Sequence, residues 1–444
     1  MKLMSVFTPQ HPFGRPSRLA CRQYAPLRSV APSAEGRYAR PHVLAPFAPQ
    51  DVGFVADPYP AYAELRRDAP VVYDEPTDHW LITRYHDVDA LLRDRRFGRT
   101  YLHVASHEEM GHERPPERLE PFWRLIGAGI LDMEGTDHAR VRRLVSKAFT
   151  PSFVEGLRPR VEKIVGDLAG AVDGAGEIDL LPAIAEPLPV TVIAEMLGVP
   201  EADRHLLRPW SADICKMYEL NPSPQAEADA VRASTEFSAY LRALARERAQ
   251  HPGDDLISEL ALVVDEGERL TEDELVGTCV LLLNAGHEAT VNSTLLGWLS
   301  LFRNPDQLAR LRADHSLIPT AIEELFRFDT PLQLFERWVL EPFELHGVDI
   351  PRGAELGLVF GSANRDPEVF DDPDLLDVGR TPNPHLTFGA GIHFCLGAPL
   401  GRMELQTSFR TLLERFPEME PVEEPRWRPN YIVRGLAGLR VHLG

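Results

Sequence analysis

Ten residues near the C-terminal end, Phe388-Gly389-Ala390-Gly391-Ile392-His393-Phe394-Cys395-Leu396-Gly397, place one cysteine in a glycine-punctuated loop. An apolar, helix-forming stretch follows, from Leu396 to about Phe416. A lone cysteine most often packs as a small hydrophobe, but these surroundings point to chemistry. Gly389, Gly391 and Gly397 permit backbone conformations and approaches that side chains would block. A cysteine entering a helix meets unpaired N–H groups and the positive end of the dipole. Both favour thiolate over thiol. A thiolate held by N–H donors, with Phe388 nearby to cover a flat apolar face, is what a haem iron needs from its protein ligand.

Two further sets of residues could serve such a group. His138 and Arg142, in Asp137-His138-Ala139-Arg140-Val141-Arg142, are spaced i, i+4 and share one face of a helix running to Phe149. They read either as a solvated basic face or as cationic partners for the two haem carboxylates. Asn284-Ala285-Gly286-His287-Glu288-Ala289-Thr290 lies inside a long helix that opens with the capping box Thr271-Glu272-Asp273-Glu274. No proline follows until Pro305, so the helix spans about 45 Å at 1.5 Å per residue. Gly286 costs about 1 kcal/mol there relative to alanine, which implies a close approach, with a flat cofactor as one candidate.

Phe-Gly-x-Gly-x-His-x-Cys-x-Gly resembles the cysteine-loop signature of the haem-thiolate monooxygenases, the cytochrome P-450 family. The other motifs occur in that family's order, and the resemblance runs from about Asp57 to the C-terminus. It implies a mainly α fold, with a long central helix over haem b (iron protoporphyrin IX) and a small β-sheet region. It implies Cys395 as the metal ligand and His138, Arg142, Arg337 and His385 as propionate contacts. Ala285, Gly286, Phe388 and Gly391 complete the implied cofactor-binding set. Glu324-Leu325-Phe326-Arg327 matches the family's buried structural Glu-x-x-Arg pair; by itself it reads as a surface ion pair of little worth.

Glu288 and Thr290 are the candidate catalytic residues. Glu288 fits the family's acid, which relays protons during dioxygen activation together with an alcohol. Ala289 stands where the family usually has threonine, and Thr290 is one residue on, rotated by about 100°. This departure implies substrate- or water-assisted proton delivery. The resemblance further implies dioxygen, a small organic substrate of hydrophobic or mixed polarity, and electrons from a separate ferredoxin and its NAD(P)H-dependent reductase. The chain has no nucleotide fingerprint in strand–turn–helix context and no iron–sulfur cysteine set. Rival readings are a redox-neutral isomerase or dehydratase, a peroxygenase, and a non-catalytic haem sensor. The family's peroxygenases carry Arg-Pro where Glu288-Ala289 stands.

The rest of the chain bounds this reading. Net charge is −20, which argues against nucleic acid or an anionic membrane as a general partner. Cys21, Cys215, Cys279 and Cys395 form no disulfide or metal spacing. With no apolar run of about 18 residues, the soluble, cytoplasmic bacterial type is expected. Residues 1–41 carry seven basic residues, one acid and recurrent prolines. They read as a flexible extension rather than a transit peptide, leaving 42–444 as one haem domain.

The positioning elements read as follows. A first helix starts near Pro58, strands lie at Val71–Tyr73 and Trp80–Thr83, and a short helix runs from Asp87 to Leu92. Several proline-separated helices fill 152–250, with Trp210, Met217 and Tyr218 as candidate pocket residues. A helix runs from near Pro319 to before Pro331, and Leu334 and Phe335 plausibly face substrate. Arg402 with Arg142, Arg143 and Lys147 reads as a basic patch that steers an acidic electron donor.

Overall fold

Thr271 and Glu274 start the element on which the fold is built. Thr271 Oγ1 accepts from the Glu274 N–H (3.2 Å) and Glu274 Oε2 accepts from the Thr271 N–H (2.8 Å), the reciprocal box expected from the sequence. The helix runs Glu272–Arg303, 32 residues, about 48 Å at 1.5 Å per residue. It stops at Asn304, in front of Pro305. The architecture is that of a computed structural model, which describes residues 28–29, 47–220 and 222–444. Apart from a two-residue strand at Arg28–Ser29, the extension expected at 1–41 lies outside the described residues.

The long helix is buried on nearly every side, as an all-round apolar helix must be. Its first half packs with Pro187–Leu197, Arg204–Cys215 and Pro224–Gln250 in a cluster containing Val276, Leu283, Val192, Ile193 and Phe237. Its second half packs with Ile318–Phe328 and Ala398–Arg415 around Leu295, Trp298, Leu325 and Phe409. Trp298 and Phe409 stack at 4.8 Å and 10°, an aromatic pair that adds specific geometry to area burial.

The principal sheet has five strands in the order Val71–Asp74, His79–Ile82, Glu355–Leu358, Phe335–Val339, Phe97–Gly98. His79–Ile82 pairs with Glu355–Leu358 in parallel and the other pairings are antiparallel. Two smaller sheets join Phe343–Leu345 to Val348–Ile350 and Glu177–Asp179 to Arg440–His442. The helix expected from Pro58 runs Tyr59–Asp68, preceded by a short helix at Val52–Ala56 that was not expected, and Tyr85–Arg93 follows the first hairpin. The 97–130 interval contains a helix at Glu120–Gly127 whose Phe122 and Leu125 are buried, more order than its weak periodicity suggests. Among the described residues, no helix is long and apolar enough to cross a membrane.

Glu324 and Arg327 are both fully buried and pair bidentately, at 2.6 and 2.7 Å. Glu324 also accepts from Arg380, Asn383 and the Asp377 N–H. Arg327 donates to the carbonyls of Asn364, Pro373 and Leu375. The pair is therefore the structural clasp of the proximal region, not a surface ion pair.

Candidate active site

Leu386 to Ala398 build the floor of the site. The Gly389 N–H donates to Leu386 O (2.8 Å) and the Cys395 N–H to Phe388 O (3.0 Å), closing the loop on itself. Gly389 and Gly391 have φ of +66° and +71°, the left-handed region that favours glycine. Helix Ala398–Arg415 begins directly after the loop, capped by Gly397. Pro399 falls in its first turn, where a missing N–H costs nothing, so it does not weaken the helix as propensity alone suggests. The Gly397 and Ala398 N–H groups reach the Cys395 thiol.

Burial pushes the Cys395 thiol up, while those N–H groups, Arg142 and Arg402 pull the other way. In the protein alone burial wins; the thiolate bias read from the loop is an offset, and a bound metal ion must supply the rest. The Arg142 Nη2 group donates to Phe394 O, 2.7 Å away and one residue before the cysteine. Phe388 is held edge-on to Phe326 at 4.9 Å, with the Arg402 guanidinium 4.4 Å over its ring. Arg402 is itself fixed bidentately by Glu323.

Cys395, Phe388 and Arg142 line a cavity of about 530 Å³. The long helix forms another wall, with Asn284, Ala285, Gly286, Glu288, Ala289 and Thr290. A Cβ on Gly286 would meet Ile193 Cδ1 at 2.5 Å, so its close approach is to a neighbouring helix as well as to the cavity. Leu334, Phe335, Met217 and Tyr218 also line the cavity. Trp210 does not: it stacks on Phe237 at 5.1 Å and donates to Glu236.

The Glu288 carboxylate has Arg428 Nη1 at 3.6 Å and His287 Nδ1 at 3.7 Å. Burial pushes His287 down to about 4, so near neutral pH Arg428 is the charged neighbour. Burial raises the Glu288 carboxyl above the usual range, opposed by Arg428 and Arg208. The Asn292 amide donates to the Glu288 carbonyl at 2.9 Å, tying that turn of the helix together. Asn284, one turn earlier, is buried and stands beside Tyr218 on the cavity wall.

The cationic residues divide. Arg337 lines the cavity, fully buried, and its Nη1 donates to the Glu336 carbonyl. Burial and the nearby Arg99 push it down to about 9. His138 is buried, its Nε2 unpartnered among the described residues, and packs behind His393, ring centroids 4.4 Å apart. His138 does not line the cavity wall, and His385 likewise lies off it, its Nε2 3.1 Å from Glu323. Its place on the wall is taken by His393, paired with Glu134 at 3.0 Å. The signal for His393 was in the motif itself, two residues before the cysteine. Gly391 is also off the wall; a Cβ there would meet Leu92 O at 2.3 Å, so its contact is with the preceding helix.

The proximal basic patch is largely neutralised. Arg143 and Lys147 both pair with Asp265, Arg143 also with Glu268, and Arg402 with Glu323.

A flat dianionic macrocycle with an axial thiolate fits these groups. Cys395 rises from the floor, a buried arginine without a carboxylate partner and an orphaned histidine nitrogen stand at the side, and small residues flank the opposite wall.

Comparison with known proteins agrees. The cytochrome P450 family model matches residues 104–432. The chain is 42% identical to cytochrome P450 107B1 of Saccharopolyspora erythraea over 405 residues, 89% of this chain and 97% of that one. It is 40% identical to the cytochrome P450 monooxygenase PikC of Streptomyces venezuelae over 422 residues, 92% of this chain and 96% of that one. Among solved structures, P450BioI in complex with an acyl carrier protein carrying hexadec-9Z-enoic acid superposes with a TM-score of 0.81. That match is 36% identical and covers 88% of this chain and 99% of that one.

Proposed function

The chain belongs to the cytochrome P450 family and is a haem-dependent monooxygenase, and from that premise we propose how its own residues do the work. The protein oxidises a largely apolar small molecule that carries a hydroxyl or carbonyl near the oxidised carbon. Cys395 would hold the haem iron, and the observation that carries this is its place on the cavity floor with Gly397 and Ala398 N–H groups at the sulfur. Thiolate-ligated haem supplies dioxygen activation, in which electron density from sulfur favours O–O cleavage.

Arg337, Arg142 and His393 would hold the haem carboxylates, with His138 behind His393. Phe388, Ala285 and Gly286 would pack against the flat ring. Substrate, dioxygen, two electrons and two protons give oxidised substrate and water. Glu288 holds and passes the protons: burial raises its carboxyl, and it stands between the cavity and Arg428. Ala289 offers no hydroxyl beside it, so a substrate hydroxyl and ordered water complete the path. The Asn284 amide, one turn away on the same wall and beside Tyr218, anchors that polar group.

The electrons come from a separate ferredoxin and its NAD(P)H-dependent reductase. The ion pairs of Arg143 and Lys147 mean that docking relies on other surface groups. A carrier-tethered substrate is the second reading, favoured by the likeness to a relative bound to an acyl carrier protein.

Turnover with ¹⁸O₂ tests the proposal. One labelled oxygen enters the product of a hydroxyl-bearing substrate. The deoxy analogue turns over with reducing equivalents lost to peroxide, and Ala289→Thr restores its coupling. Equal coupling of both substrates in the native enzyme would contradict the substrate-assisted path.

A further inference from the structure

Strand register gathers a second constellation on the face of the principal sheet opposite Arg337. His79 and Glu355 are direct partners in the parallel pairing, and Trp338 opposes Glu355 in the antiparallel one. Glu336, two residues before Trp338, therefore shares that face. His79 Nε2 stands 3.7 Å from Glu355 Oε2 and 3.9 Å from Glu336 Oε1. One ligand atom from each residue lies within 4.8 Å of the other two.

Those separations are too long for hydrogen bonds, and among the described residues Nε2 has no hydrogen-bond partner although His79 is only 6% exposed. A tetrahedral ion about 2.1 Å from each ligand sets them about 3.4 Å apart, so these separations exceed a closed site by a few tenths of an ångström and small side-chain rotations would close it. The ring is also oriented as a ligand. Its Nδ1–H donates to the Thr77 carbonyl at 2.5 Å, which leaves the Nε2 lone pair facing the carboxylates. Arg99 takes the far oxygen of Glu336, Oε2, at 3.3 Å and leaves Oε1 free.

We propose that His79, Glu336 and Glu355 form a divalent cation site, separate from the haem, that takes a first-row ion of the zinc class with a water as fourth ligand. One imidazole and two carboxylates with an open position make a mixed N/O donor set that zinc accepts. His79 and Glu336 also line the cavity, so the ion would pin three strands where the sheet meets the cavity.

Calorimetric titration of zinc chloride into chelator-treated, desalted holoprotein tests this. One site of low-micromolar or tighter Kd is expected, weakened about 100-fold in both His79→Gln and Glu355→Gln. Both variants should keep the circular dichroism and reduced-CO spectra of the native protein; if one does not fold, Glu336→Gln replaces it. Zinc bound only at sites that survive every substitution, or no zinc bound by the native protein, would overturn the proposal.

Discussion

Glu288 Oε2 lies 3.6 Å from Arg428 Nη1, on the turn of the long helix where Ala289 stands beside it. The pair links the cavity wall to a partly exposed arginine and gives the carboxylate a charged neighbour without burying it completely. A positioned acid of this kind contributes roughly 10²- to 10⁴-fold to a proton-transfer step. Glu288→Gln should lower product formation by about 100-fold, with haem content unchanged. Turnover within twofold of the native enzyme would remove Glu288 from the path.

Arg337 is charged and buried with a backbone carbonyl as its hydrogen-bond acceptor. A haem propionate beside it would restore the balance, and a charged hydrogen bond of this kind is worth about 1.5–3 kcal/mol. Arg337→Leu should therefore weaken haem retention on the order of 10-fold or more, measured as haem per chain after purification and dilution. Full retention would place the propionates elsewhere.

Glu324 balances Arg327 and Arg380 where no solvent reaches it. Glu324→Leu strands both guanidiniums, and breaking a buried pair from one side costs about 3–5 kcal/mol. Urea unfolding of the variant should show a loss of that order, or no folded protein. A loss below about 1 kcal/mol, the value of an exposed pair, would contradict the clasp.

Glu404, on the helix that follows Cys395, is buried with Oε1 unpartnered among the described residues, and burial pushes its carboxyl up to about 8. Between the ordinary carboxyl range and pH 8 the folded state thus holds a proton that the unfolded chain releases. The sign follows: this contribution to stability is full below about pH 4.5 and is lost as pH rises through 8, on the order of a few kcal/mol. Glu404→Gln should flatten the fall in Tm between pH 5 and 8.5. Parallel Tm profiles would show that Glu404 does not titrate there.

What could be read from the chain was local. The loop around Cys395, the Thr271–Glu274 box and the Glu324–Arg327 pair are linear patterns whose partners lie within a few residues. What local patterns do not carry depends on residues far away. His385 and His393 occupy one short segment, yet Glu323 turns the first off the wall and Glu134 holds the second on it. Gly391 clears Leu92, from a distant helix. Asp265 neutralises Arg143 and Lys147 from more than a hundred residues on. His79, Glu336 and Glu355 meet only because a parallel strand pairing joins opposite ends of the chain, which no local pattern encodes.

The most direct test of the account is the absorption spectrum of the dithionite-reduced protein under carbon monoxide, taken beside Cys395→His. The account predicts a Soret band far to the red of histidine-ligated haem in the native protein, and its return to the histidine position in the variant. A native band at the histidine or thiol position, or a red-shifted band that survives the substitution, would contradict Cys395 as the ligand.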